Sequence, residues 1–241
     1  FDVRGDTRDQ VFTGIDGQTA LASRAIQRTM GQALSFEGTW AEVYYHGTCG
    51  GSTEAVSLVW KRPQSKLYLA GVRDAGRHGV FCAISPNYRW TETYSRTELE
   101  SILLASHPSA RETILLSGIP VSEWHLLDLK ILTRMPSGRV ERLELHFGNR
   151  RQHLTFVEDA DRIRWTIRRP DGNSLLRSDL FDLFIDRDAQ RWITSVTIRG
   201  GGSGHGIGLC QWGAIGRARK GFLAEEILQA YFPGTSVVSA Y

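Results

Sequence analysis

Along the chain the apolar positions change period several times, and each change marks an element. Between Thr19 and Met30, Leu21, Ala22, Ala25, Ile26 and Met30 recur at three- and four-residue steps, which predicts a helix closed by Gly31. The β-branched and aromatic run from Trp40 to His46 predicts a strand that delivers His46 to a Gly-Thr-Cys-Gly-Gly loop. Val56 to Trp60 is another short apolar run, and the alternation at Leu67 and Leu69 predicts a strand over 66–72. A second helix is expected from Thr97 to Ser106, with Leu99, Ile102, Leu103 and Leu104 inward and Pro108 beyond its end.

From Trp124 to Trp192 the period becomes two. Leu126–Thr133 and Val140–Phe147 read as strands about a Pro136-Ser137-Gly138 turn, followed by strands over 153–157, 180–185 and 192–198 and a short helix within 159–169. After a glycine-rich stretch, small residues at Gly208, Gly213, Ala214, Gly216 and Ala218 predict a helix packed closely on a neighbour. A last helix over Ala224–Tyr231 is stopped by Pro233-Gly234. The pattern as a whole predicts an α+β fold, mostly antiparallel strands with about four helices. It is read as one domain over 1–241, with a core from about 1–107 and 192–241 and a β-rich insertion or lobe at 124–191.

A chain of 241 residues with 41% apolar content can bury a full core. Its net charge of +3 arises from 29 basic and 26 acidic residues that are well mixed, so no basic face for nucleic acid is evident. No run approaches the length of a transmembrane helix.

The chemistry concentrates in Gly200–Ala214, where seven of fifteen residues are glycine and a histidine, a thiol, an amide and an indole are set among them. His205 and Gln211 can both hydrogen-bond hydroxyl and acetamido groups, though the same pair could instead brace the loop. His46, Tyr44, Trp212 and Glu54 complete the candidate binding set. The three cysteines leave alternatives open. Cys49 and Cys82 could pair across a loop of about 33 residues, contributing roughly 3–4 kcal/mol, or join His46 and His78 in a zinc knuckle. Cys210 with His205 or His46 has the composition of a Cys–His hydrolase.

The run His205-Gly206-Ile207-Gly208-Leu209-Cys210-Gln211-Trp212-Gly213-Ala214 resembles the signature closing the stage II sporulation protein D family, the SpoIID/LytB domain. Phe1–Val3 through Asp9–Phe12, Tyr45–Glu54, Val59-Trp60, Cys82, Trp90, Gly221-Phe222 and Glu226 through Gly234 follow in the same order. The resemblance implies a groove lined by glycine-rich loops that binds glycan strands of peptidoglycan, and an activity as a lytic transglycosylase. In such an enzyme one acid protonates the glycosidic oxygen and then draws the proton from the C6 hydroxyl of the same sugar. The family's catalytic glutamate lies in a helical segment with no match here, so that acid is expected upstream of residue 1 and the catalytic residue in this chain is unknown. The family's second name implies the other reading, a non-catalytic wall-binding or amidase-enhancing module with a cell-wall amidase as partner.

The resemblance also favours the Cys49–Cys82 disulfide and a periplasmic, cell-surface or secreted location. Some relatives carry zinc in the segment that here holds Arg4 and Asp9. Arg4 is no ligand, so neither metal nor cofactor is expected.

Overall fold

A computed structural model describes residues 18–61, 66–77 and 79–240. Phe1 to Phe12 of the resemblance, with Arg4 and Asp9, and His78 lie outside the described residues. The chain divides into two compact units, residues 1–41 with 235–241 and residues 42–234.

In the first unit, helix α1 (Ala20–Thr29) starts where the Thr19 hydroxyl accepts the Ala22 amide at 3.1 Å, an N-cap that satisfies one of the donors a helix start leaves open. Strand β1 (Gln32–Phe36) pairs antiparallel with β2 (Thr39–Trp40) and with Ser236–Ser239, the last strand of the chain, β13. None of the residues of α1 is buried.

The second unit begins with β3 (Tyr45–His46) and a single helical turn, α2 (Val56–Val59). The strand expected over 66–72 is not formed. A 3-10 turn occupies Leu67–Leu69, and Leu67 is 69% exposed while Tyr68 and Leu69 are buried, so the alternation there reflects a turn with one face inward. A short hairpin, β4 (Ala75–Gly76) and β5 (Gly79–Val80), leads into a 3-10 turn over Phe81–Ile84 and then β6 (Trp90–Ser95). Helix α3 (Arg96–Ser106) opens with a reciprocal capping box between Ser95 and Glu98.

Pro108 does not end the helical region as expected. It begins α4 (Pro108–Leu116), because proline at a first helical position gives up an amide that would lack a partner anyway, and the His107 ring caps the Ala110 amide at 3.1 Å. Strands β7 (His125–Arg134), β8 (Val140–Gly148) and β9 (His153–Asp159) form one antiparallel sheet. Helix α5 (Ala160–Thr166) and strands β10 (Phe181–Arg187) and β11 (Ile193–Gly200) follow, and β10-β11-β6 form a second antiparallel sheet. Then come β12 (Leu209–Cys210), α6 (Gln211–Ala218) and α7 (Ala224–Tyr231). The described residues thus hold seven helices where about four were expected, the single turn α2 and the nine-residue α4 among the additions.

The core of the second unit lies between the β7-β8-β9 and β10-β11-β6 sheets and helices α3, α4 and α5. Val140, Leu143, Leu145 and Phe147 of β8 point into it with 0–1% exposure, and Leu145 lies opposite Leu129 on one side and Phe156 on the other. Each such side chain contributes about 1.5–3 kcal/mol by leaving water.

Candidate functional site

Two glycine-rich loops meet here. β3 pairs in parallel with β12, Tyr45 opposite Leu209 and His46 opposite Cys210, and the contact continues beyond the strands. Thr48 and Ser203 exchange both backbone hydrogen bonds at 3.0 and 2.7 Å, the Glu54 amide donates to Gly206 O at 2.8 Å, and the Trp212 amide donates to Gly47 O at 3.0 Å. This approach requires glycine at two points. A Cβ on Gly202 would stand 2.6 Å from Thr48 O, and one on Gly208 2.2 Å from Tyr44 O; both residues have positive φ, 85° and 69°.

Beneath the loops lies Arg139, with no exposed surface. It donates to Cys49 O at 2.7 Å and Ser52 O at 2.9 Å and pairs with Asp179 at 3.1 Å. Burial raises the Asp179 carboxyl to about 6, against the pull of that guanidinium. Nothing in the sequence pattern around Arg139 marked it, because its contacts lie 87 and 90 residues away along the chain.

The junction aligns four rings. Tyr44 meets Trp60 edge-on at 4.7 Å between centroids, Trp60 tilts over His205 at 5.1 Å, and His205 stands edge-on to His46 at 5.5 Å. Trp60 was absent from the expected set, although its place in the Val59-Trp60 motif was the available signal.

Hydrogen bonds fix both imidazole tautomers. His205 Nδ1 accepts the Ile207 amide at 3.1 Å, so Nε2 carries the proton and donates to Tyr45 O at 3.0 Å. His46 Nδ1 faces Ile207 O at 3.0 Å and must donate, leaving Nε2 a buried acceptor with no hydrogen-bond partner among the described residues. Burial holds both rings neutral: His46 lies well below the usual histidine range, helped by the neighbouring His205, and His205 is lowered to about 4, helped by Arg164. His205 therefore offers a ligand its ring face, since both its nitrogens hold backbone groups.

Glu54 is 3% exposed and accepts the Ala55 amide on Oε1 and the Ser137 amide on Oε2, each at 2.9 Å. Its carboxylate holds backbone together and has no free oxygen to act as an acid on a sugar. Gln211 is the first residue of α6, is exposed, and makes no side-chain hydrogen bond among the described residues. Trp212 follows it half-buried. A hollow of about 830 Å³ lined by Arg89, Trp90, Arg134, Asp182 and Arg199 contains none of the six expected residues. Arg134 is paired with Asp182 at 2.6 Å, Arg89 donates to Gly50 O at 3.1 Å and Arg199 lies over the Phe184 ring at 4.7 Å, so the ring series is the better candidate.

All three cysteines are buried free thiols. The sulfurs of Cys49 and Cys82 stand 3.4 Å apart, longer than the roughly 2.05 Å of a disulfide. Cys210 and Asp74 complete the group, and His46 is not part of it. Contacts with Cys210 and Cys82, and then burial, push the Cys49 thiol up, while those from Cys210 and Cys49 hold Cys82 low. Burial raises Asp74 against the hydrogen bond from Tyr231. His46 lies opposite Cys210 in the strand pair, but the Cys210 sulfur accepts from Cys49 N and Gly213 N, donates to Gly47 O and hydrogen-bonds no imidazole among the described residues, so the Cys–His hydrolase arrangement is not assembled.

A family model described as Domain of unknown function (DUF8618) matches residues 75–208, more than half of the chain. The chain is 26% identical over 262 residues to a Bacillus subtilis (strain 168) protein named Amidase enhancer, an alignment covering 97% of this chain and 34% of that protein. It is also 26% identical over 242 residues to an uncharacterized protein of Brachyspira hyodysenteriae, covering 99% of this chain and 54% of that one. The chain thus spans about a third and about half of the length of these relatives.

Proposed function

We propose, for a chain that belongs to the family described as Domain of unknown function (DUF8618), that it is a cell-wall module that binds peptidoglycan glycan strands at the junction of its two glycine loops. The observation that carries the reading is the ring series Tyr44, Trp60, His205, His46 with the uncommitted Gln211 amide at the start of α6. Aromatic faces suit the apolar faces of sugar rings, and a carboxamide suits hydroxyl and acetamido groups. The similarity to a protein named Amidase enhancer supports the setting, a cell wall undergoing cleavage, with an amidase as partner.

Cleavage of the strand as a lytic transglycosylase is the finer reading that the sequence motifs imply. Glu54, the carboxylate of the Tyr45–Glu54 motif, is occupied by two backbone amides, so binding is the role assigned to these residues. In a transglycosylase the acid would be supplied by another carboxylate.

The test is a pull-down with purified glycan strands, paired with a thermal melt. Gln211→Ala should weaken binding about two- to tenfold, the equivalent of roughly 0.5–1.5 kcal/mol for one neutral hydrogen bond, with the melt unchanged. His205→Ala should lower both, since it also strands Tyr45 O and the Ile207 amide. No binding by the unaltered chain, or full binding by Gln211→Ala, would count against the site. Release of anhydro-sugar products in the same incubation would assign cleavage as well.

A further inference from the structure

We propose that Cys49, Cys82, Cys210 and Asp74 bind one zinc ion that ties together the segments carrying the two glycine loops. Their ligand atoms all lie within 4.8 Å of one another, which leaves room for a single ion. A tetrahedral zinc with bonds of about 2.3 Å to sulfur separates its ligands by about 3.8 Å. Cys49 Sγ already stands 3.4 Å from both Cys82 Sγ and Asp74 Oδ2, so an ion would enter with shifts of tenths of an ångström on those edges.

The surroundings are built for anionic ligands. All four residues have no exposed surface, and a carboxylate directed at thiols is a costly thing to bury when apolar side chains would fill the same space. Backbone amides point at the sulfurs: Cys49 N and Gly213 N at Cys210 Sγ, each at 3.2 Å, and Gly51 N at Cys49 Sγ at 3.4 Å. The far oxygen of Asp74, Oδ1, accepts from Tyr231 Oη at 2.6 Å and Arg217 Nη2 at 3.3 Å, which orients Oδ2 toward the sulfurs as partners of a ligating carboxylate do. Sulfur-rich tetrahedral sets select zinc among the common divalent ions. Four protein ligands leave no open position, so the ion is structural.

Binding forms three Zn–S bonds and one Zn–O bond and releases the thiol protons to solvent, with no change of oxidation state. The four ligands come from four segments: the loop after β3, the residue before β4, the Phe81–Ile84 turn and the N-cap of α6. A Cys49–Cys82 disulfide would join only two of them and leave Cys210 Sγ and Asp74 Oδ2 outside the link.

The test uses the full chain purified under reducing conditions. Elemental analysis should find one zinc per chain, and exchange for Co²⁺ should give the intense visible and near-ultraviolet bands of a tetrahedral thiolate site. Cys82→Ser and Cys210→Ser should each lose that stoichiometry. The cobalt spectrum of the unaltered chain decides the matter if the variants fail to fold. A reduced chain that takes up no zinc on loading overturns the proposal, as does a non-reduced chain with an intact mass two hydrogens light and a Cys49–Cys82 link on peptide mapping.

Discussion

Gly216 faces the backbone of the Phe81–Ile84 turn so closely that a methyl group there has nowhere to go. A Cβ built on it would stand 2.1 Å from Phe81 O and 2.8 Å from Phe81 C, whereas real Cβ atoms keep at least 3.0 Å. In Gly216→Ala, helix α6 must therefore retreat by about 0.9 Å, or the turn must, because a carbonyl cannot rotate aside as a side chain would. Such overpacking costs about 1–3 kcal/mol, and an obstruction made of backbone sits at the upper end. Alanine returns up to about 1 kcal/mol in helix propensity. The net expectation is a loss of about 1–2 kcal/mol, which lowers the thermal midpoint by roughly 2–8 °C in a unit of this size. The assay is a thermal melt beside Ala218→Gly, an exposed position of the same helix where propensity alone should cost about 1 kcal/mol. A Gly216→Ala midpoint equal to or above that of the parent would refute close packing of α6 on the turn.

Other consequences can be checked as directly. Glu54→Gln should lower stability by about 1–3 kcal/mol in urea titration, since its NH₂ would face one of two backbone amides, while glycan binding of the folded protein persists. Arg139→Met should cost about 3–5 kcal/mol by leaving Asp179 buried without its cation, and adding Asp179→Leu should restore part of the loss; no rescue would argue against the ion pair as the cause. His205 is depressed to about 4 in the fold and titrates near 6.5 when unfolded, so the unfolded chain takes up the proton first. The stability it contributes is present above about pH 6.5 and is lost as pH falls toward 4. The difference in urea midpoint between the parent and His205→Gln should therefore shrink from pH 7 to pH 4.5, and a constant difference would contradict the assignment.

How much of this was legible in the sequence depends on how local the cause of each feature is. Helix α7 and strand β8 were readable because their periods and their stops, Pro233-Gly234 and the Ser137-Gly138 turn, lie within a dozen residues. The close packing of α6 was readable from Gly213 and Gly216 themselves. Leu67 and Leu69 misled because alternation over so short a run does not distinguish a strand from a turn with one side buried. Pro108 misled because proline marks a helix start as well as a stop. Asp74 carried no signal in the sequence, because only folding brings it to Cys49, 25 residues away, and to Arg217, 143 residues away. His205 stood open in the sequence between ligand group and brace, and its partner was not legible there, since the carbonyl it holds, Tyr45 O, is 160 residues distant.

The pairing of β3 with β12 also sets a timetable. The His46 ring bonds to a carbonyl 161 residues later in the chain, so at synthesis rates of about 5–20 residues per second its partner arrives roughly 8–30 s after it does. During that wait the two-residue strand has no sheet to join, and the loop carrying Cys49 can meet Cys82 but not Cys210. Assembly of the junction therefore waits on the last third of the chain, and non-local pairing of this kind is slow to form. A chain halted before Leu209 would lack β12 and α6 and could not assemble the site.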